Sequence, residues 1–201
     1  MPDSIASPET LRAPPRIDTN AVSKPLRDLF AGWHVALAQP FKGLTAGGSV
    51  EPNLFPLRKT GASVQAIADA VTVFAASLDA EQRRYVAYPI DSEIWRTWSN
   101  IHRNLMRHGL CLIDLSEAQR ELVYGILRAS LGAQTFETAR NAMRLNTTLA
   151  DMTGLPLEFG EYYYWISLFG APSPTGPWGW QIDGHHRQRA ASRSDCRRPC
   201  R

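Results

Sequence analysis

The stretch EYYYWISLFGAPSPTGPWGWQIDGHH, Glu161–His186, constrains this chain more than any other. Tyr162–Phe169 is aromatic and apolar throughout and lacks the three-to-four-residue spacing of an amphipathic helix, which predicts a buried strand. Ala171–Pro177 supplies a turn. Trp178–Asp183 then alternates, with Trp178, Trp180 and Ile182 on one side and Gly179, Gln181 and Asp183 on the other. The two runs read as an antiparallel hairpin with a long loop. A lone hairpin is marginal in water, so this one needs further strands or a helical layer.

The preceding sequence supplies helices. Leu26, Leu29, Phe30, Trp33 and Leu37 place a helix over Pro25–Ala38, with proline in its first turn. Prolines and glycines break residues 39–58, where Gly47-Gly48 suits a small hairpin. Val64, Ile67, Ala68, Val71, Phe74 and Leu78 form one face of a helix over Ser63–Leu78. Asp79 and Gln82 make a capping box for a short helix that must end before Pro89. Asp91–Gly109 suits a helix capped by Asp91, although its Trp-Ser-Asn cluster would also suit a loop lining a pocket. On a helix His102 and His108 point apart and read as core or surface residues. Ser116 and Gln119 form a second capping box. A last helix, Thr135–Thr153, turns Phe136, Ala139, Met143, Leu145, Leu149 and Met152 inward and ends at Gly154. Helices followed by sheet make an α+β fold, expected here as one domain over residues 25–186 behind a flexible segment, residues 1–24.

Charge excludes some functions. The chain carries +3 overall, but Arg187–Arg201 holds six arginines and one aspartate, which leaves the body at about −2. The body offers no basic face for nucleic acid, and no apolar run approaches the roughly 20 residues needed to span a bilayer. Cys111 stands alone in the body, and the Cys196/Cys200 pair lacks nearby histidines and is a poor zinc site. A cytoplasmic protein is the default expectation.

The candidate site residues cluster at the end of the opening stretch. His185 and His186 have three readings: metal ligands completed by Glu161 or Asp183, an acid/base group oriented by Asp183, or structural histidines. On a regular strand adjacent residues face opposite ways, so both rings reach one divalent metal only if Gly184 bends the chain. Trp178 and Trp180, with Gln181 beside them, read either as a stacking platform for a ligand or as core. Arg144 and Asn146 would serve an anionic pocket if their helix flanked one. Two functions stay open: an enzyme acting on a small molecule, and a non-catalytic binding module with structural histidines.

The pieces PFKGLTAGGSVEPNLFPL, SLDAEQRRYVAYPID, LSEAQRELVYGILRASL, TARNAMRLNTTLADMTG and the opening stretch resemble domain-of-unknown-function family 3500, a bacterial family without an established activity. PWGW followed by GHH is the most specific of them. The resemblance implies that Trp178, Trp180, His185 and His186 belong to a family motif, and that an apolar strand should follow. Instead the chain gives RQRAASRSDCRRPCR, which has no hydrophobic periodicity. The expectation is a native sequence that breaks off after His186, followed by a disordered, non-native tail.

Overall fold

The computed structural model describes residues 22–41, 45–50, 64–99, 108–156 and 158–185, and the backbone of strand Arg187–Arg193. These fall into two compact units, one within residues 17–63 and one from Val64 onward. The expectations for residues 1–21, His102 and His186 lie outside the described residues.

The first unit holds helix α1 (Lys24–Ala38) and a hairpin of β1 (Thr45–Ala46) and β2 (Ser49–Val50). Phe30 is buried in α1, with the Trp33 ring 5.3 Å away. Gly47 and Gly48 both have positive φ, +58° and +85°, as a two-residue hairpin turn requires.

The second unit begins with α2 (Gln65–Ala76) and α3 (Ala80–Val86), the latter capped by the Asp79/Gln82 box. Proline ends α3, and the chain passes straight into β3 (Ala87–Tyr88). Among the described residues, the helix expected from Asp91 shows one 3₁₀ turn, Glu93–Arg96, capped by Ser92 and followed by irregular chain to Ser99. Strand β4 (Leu110–Cys111) leads through a 3₁₀ turn to α4 (Glu117–Ser130), capped by the Ser116/Gln119 box. Helix α5 (Ala133–Thr153) ends at Gly154 in the left-handed region, φ +67°. Strands β5 (Tyr164–Phe169), β6 (Trp178–Gly184) and β7 (Arg187–Arg193) complete the unit.

The sheet is mixed. One edge of β5 takes β6, antiparallel from Tyr164↔Gly184 to Phe169↔Gly179. Its other edge is shared by β3, parallel to Leu168 and Phe169, and β4, antiparallel to Trp165 and Ile166. Strand β7 covers the outer edge of β6 from Gly184↔Arg187 to Trp178↔Arg193. Residues 187–193 of the segment expected as a disordered tail thus pair as a strand, and residues 194–201 lie outside the described residues. Ladder hydrogen bonds join backbone to backbone, so pairing along β6 does not need the apolar periodicity that 187–193 lack.

Every residue of β5 and β6 is buried, on both faces. Tyr164, Ile166, Leu168, Trp178, Trp180 and Ile182 join Val71, Phe74, Val123, Ile126 and Met143 in the main core. The opposite face carries Trp165, Ser167, Phe169, Gln181 and Asp183. There the Phe169 ring stacks on Trp95, with centroids 3.8 Å apart.

Helix α5 divides its apolar residues between two stripes. Phe136, Ala139, Arg140, Met143, Asn146 and Ala150 are the buried ones. Leu145 and Met152, expected inward, are 64% and 80% exposed. The inward stripe therefore accepts an arginine and an asparagine, because both find partners, while the leucine and methionine face outward.

Gly184 holds a close approach. A Cβ there would overlap the ring of Tyr164, its partner across the ladder. Gly125, in the middle of α4, has open space where its Cβ would lie. Gly184→Ala should therefore cost about 1–3 kcal/mol by overpacking, whereas Gly125→Ala should stabilise by about 0.5–1 kcal/mol through helix propensity. Urea denaturation of both variants checks the pair. Equal effects would contradict the close approach at Gly184.

Candidate functional site

The candidate residues separate onto the two faces of β6. Strand alternation ends at Gly184, and His185 follows it in the turn that leads toward β7. His185 is therefore not placed by the alternation that carries Asp183. Its ring lies against α5 and Phe159, with its centroid 4.9 Å from the Phe159 ring.

A directional hydrogen-bond chain fixes it there. Asn146 Nδ2 donates to the carbonyl of Ala142 at 3.4 Å and to the hydroxyl of Tyr164. A backbone carbonyl can only accept, so it fixes which end of the amide is nitrogen. Oδ1 of Asn146 then faces His185 Nδ1 at 2.8 Å, and Nδ1 must carry the proton. In the neutral ring Nε2 is consequently the basic nitrogen. Tyr164 closes the chain by donating its hydroxyl hydrogen to the carbonyl of His185 at 3.2 Å.

Asn146 and His185 sit at one end of an open cavity on α5, of about 360 Å³. Ala142, Leu145, Leu149 and Met152, with Thr148, line the rest. One helical stripe at i, i+3, i+7 and i+10 thus makes an apolar wall with a polar end. A volume of this size is in the range of small-molecule sites.

Glu161 and Arg144 do not line it. Glu161 accepts from buried Arg140 at 2.7 Å and lies 4.0 Å from the Arg144 guanidinium. Arg140 also stacks over the Tyr124 ring at 3.9 Å. Burial pushes the Tyr124 hydroxyl up to about 12, against the opposing pull of Arg140. The Glu161 carboxylate is thereby committed to an ion pair. Among the described residues, no three of His, Cys, Asp and Glu come together. Of the expected ligand set, His185 and Glu161 belong to separate contacts, and His186 lies outside the described residues.

Of the two readings of the tryptophans, burial matches the core one. Trp178 and Trp180 are 3% and 1% exposed in the main core, and Trp178 Nε1 donates to the carbonyl of Ser173 at 2.7 Å. Gln181 and Asp183 lie on the other face, where Gln181 Nε2 donates to Asp183 Oδ1 at 3.2 Å. Asp183 does not orient His185; Asn146 does. The histidine near Asp183 is His108, whose Nε2 lies 3.8 Å from Asp183 Oδ2 and whose Nδ1 contacts Ser167 Oγ at 2.8 Å. Burial lifts the Asp183 carboxyl to about 7, opposed by the Gln181 hydrogen bond. Burial also lowers His108 to about 4, opposed by a hydrogen bond with the Thr97 backbone.

Sequence reasoning read His108 as a core or surface residue, and gave Ser167 and Tyr164 no site role. The available signal was a serine inside an otherwise apolar strand, next to a strand whose second face was polar.

Residues 60–192 match the model of a family described as a protein of unknown function (DUF3500), and the chain belongs to that family. No curated protein and no solved structure matches it. Among the described residues, no helix is long and apolar enough to cross a membrane.

The Asn146 chain predicts coupling. Asn146→Ala should cost about 1–3 kcal/mol, because it removes the acceptor of the His185 Nδ1–H and a donor to the Tyr164 hydroxyl. Tyr164→Phe should cost about 0.5–1.5 kcal/mol, and the double variant should cost less than the two together. Chemical denaturation of all three measures this; simple additivity would show that the residues act independently.

Proposed function

We propose that this DUF3500 protein binds a small, largely apolar molecule with a hydrogen-bonding head group in the cavity on α5. The observation that carries the proposal is a largely apolar lining beside one oriented histidine. Its wall is made of Ala142, Leu145, Leu149 and Met152, and its polar end is Asn146 with His185, held through Nδ1. The wall would take the ligand's apolar body, and the His185 ring would meet its head group. Burying a ligand there also accounts for the exposure of Leu145 and Met152.

A second reading, an enzyme, rests on the same contact. A neutral imidazole oriented through Nδ1 by Asn146 has the arrangement of a general base, with Nε2 as its basic nitrogen. A cytoplasmic setting belongs to the proposal and is supported by Cys111, which is buried and forms no disulfide among the described residues.

The probes are N-phenyl-1-naphthylamine, a neutral fluorophore that brightens in apolar sites, and 4-methylphenol, which couples an apolar body to a hydroxyl. The fluorophore should bind saturably with one equivalent per chain. Leu145→Arg changes an exposed residue, so folding should stay within about 0.5 kcal/mol of wild type, while fluorophore affinity should fall at least tenfold. Adding 4-methylphenol should displace the fluorophore and shift the His185 imidazole resonances. Unchanged affinity in Leu145→Arg, or a silent His185, would defeat the proposal.

A further inference from the structure

The proposed ligand site leaves a second group of polar residues without a role: His108, Ser167, Gln181 and Asp183, buried on the far face of the β5–β6 pair. Their exposures are 5%, 0%, 0% and 0%. Three of their atoms have no hydrogen-bond partner: His108 Nε2, Asp183 Oδ2 and Gln181 Oε1. Buried polar atoms are ordinarily satisfied, and buried charges are either paired or bound to metal. Three unsatisfied atoms on adjacent side chains therefore call for one common explanation.

The distances supply it. An imidazole N–H facing a carboxylate closes to about 2.7–2.9 Å, yet His108 Nε2 and Asp183 Oδ2 stand 3.8 Å apart. Two ligands of one tetrahedral ion, with bonds of about 2.0–2.2 Å, lie roughly 3.3–3.6 Å apart. The observed gap is too wide for a hydrogen bond and within a few tenths of an ångström of a metal's bite. The other atoms of both side chains are already held from behind. His108 Nδ1 contacts Ser167 Oγ at 2.8 Å, and Asp183 Oδ1 accepts from Gln181 Nε2 at 3.2 Å. Outer partners of this kind orient the imidazole and carboxylate of a metal centre.

We propose that His108 Nε2 and Asp183 Oδ2 bind one divalent transition-metal ion, with Gln181 Oε1 as the third protein ligand. With Nδ1 protonated toward Ser167, Nε2 offers its lone pair. The carboxylate supplies negative charge, and the amide oxygen adds a neutral donor. One imidazole and two oxygens suit zinc, cobalt or manganese better than the thiolate-loving copper(I). Three protein ligands leave a further position for water. This centre is distinct from the one expected at the His185–His186 turn, because Asp183 points away from it.

The neighbourhood is tightly built. Gly109, next to His108, has φ +79°, and a Cβ there would overlap the carbonyl of Ile166 and the Ser167 hydroxyl. Its N–H donates to the Tyr88 hydroxyl at 2.9 Å. The backbone that carries His108 is thus locked against β5, which preorganises the ligand.

The test uses the full chain stripped with a chelator and titrated with cobalt(II) and zinc(II). One equivalent of cobalt should give the visible absorption of a low-symmetry site, and zinc should displace it and raise the Tm. His108→Ala and Asp183→Asn should each weaken zinc binding at least a hundredfold, and Ser167→Ala about 10–100-fold. His185→Ala should bind as wild type does. Should the buried variants fail to fold, long-range proton–nitrogen spectra of the wild-type histidines decide alone. Zinc should shift His108 Nε2 while Nδ1 stays protonated. Absence of stoichiometric binding, binding that survives Asp183→Asn, loss of binding in His185→Ala, or an unmoved His108 resonance would each overturn the proposal.

Discussion

The antiparallel pairing of β5 with β6 is the interaction on which the rest depends. It places Tyr164 opposite Gly184, and the missing Cβ lets the tyrosine ring lie across the strand. From that position the Tyr164 hydroxyl reaches both Asn146 on α5 and the carbonyl of His185. One glycine thus couples the sheet register to the orientation of the cavity's histidine. The same ladder sets Ser167 opposite Gln181 and Trp165 opposite Asp183, which gathers the polar group on the other face. A one-residue slip would exchange the two faces and destroy both arrangements.

Because both faces of the pair are buried, polar residues there need internal partners rather than water. The two polar clusters meet this requirement differently, although the Tyr124 hydroxyl and the Trp180 Nε1 on the core face are also left without a partner. On the α5 side, Asn146, Tyr164 and His185 satisfy one another in a directed chain, and nearby Arg140 is matched by Glu161 and stacked on Tyr124. On the other side, the partners close only halfway, leaving a carboxylate oxygen, an imidazole nitrogen and an amide oxygen unmatched. Complete networks specify a fold, while incomplete ones mark places where something further binds. That contrast makes the first cluster a scaffold for a cavity and the second a candidate ion centre.

The apolar residues of α5 show how a helix can serve two purposes. Its inward stripe carries an arginine and an asparagine, which packing tolerates because each is satisfied. The residues a hydrophobic count would bury, Leu145 and Met152, lie outward. A simple core assignment treats every apolar side chain as equivalent. The structure separates those that close the core from those that form a wall.

Much of the local architecture was legible in the sequence. The Asp79/Gln82 and Ser116/Gln119 boxes, the Gly154 terminus of α5 and the two strands follow from backbone chemistry within a few residues, which a linear sequence displays. The α+β class followed from the change of periodicity at Glu161. The sequence also singled out Asn146, Asp183 and His185, but not their partners. Asp183 with His108 and His185 with Asn146 are contacts across 75 and 39 residues, set by sheet register and helix docking. The strand at 187–193 was equally hidden, since its ladder bonds use backbone groups common to every residue. Sequence determined most helices, the turns and the β5–β6 hairpin, because those choices are local. Only the tertiary structure decided which face each polar side chain occupies and what it meets, because burial and pairing are properties of the assembled sheet.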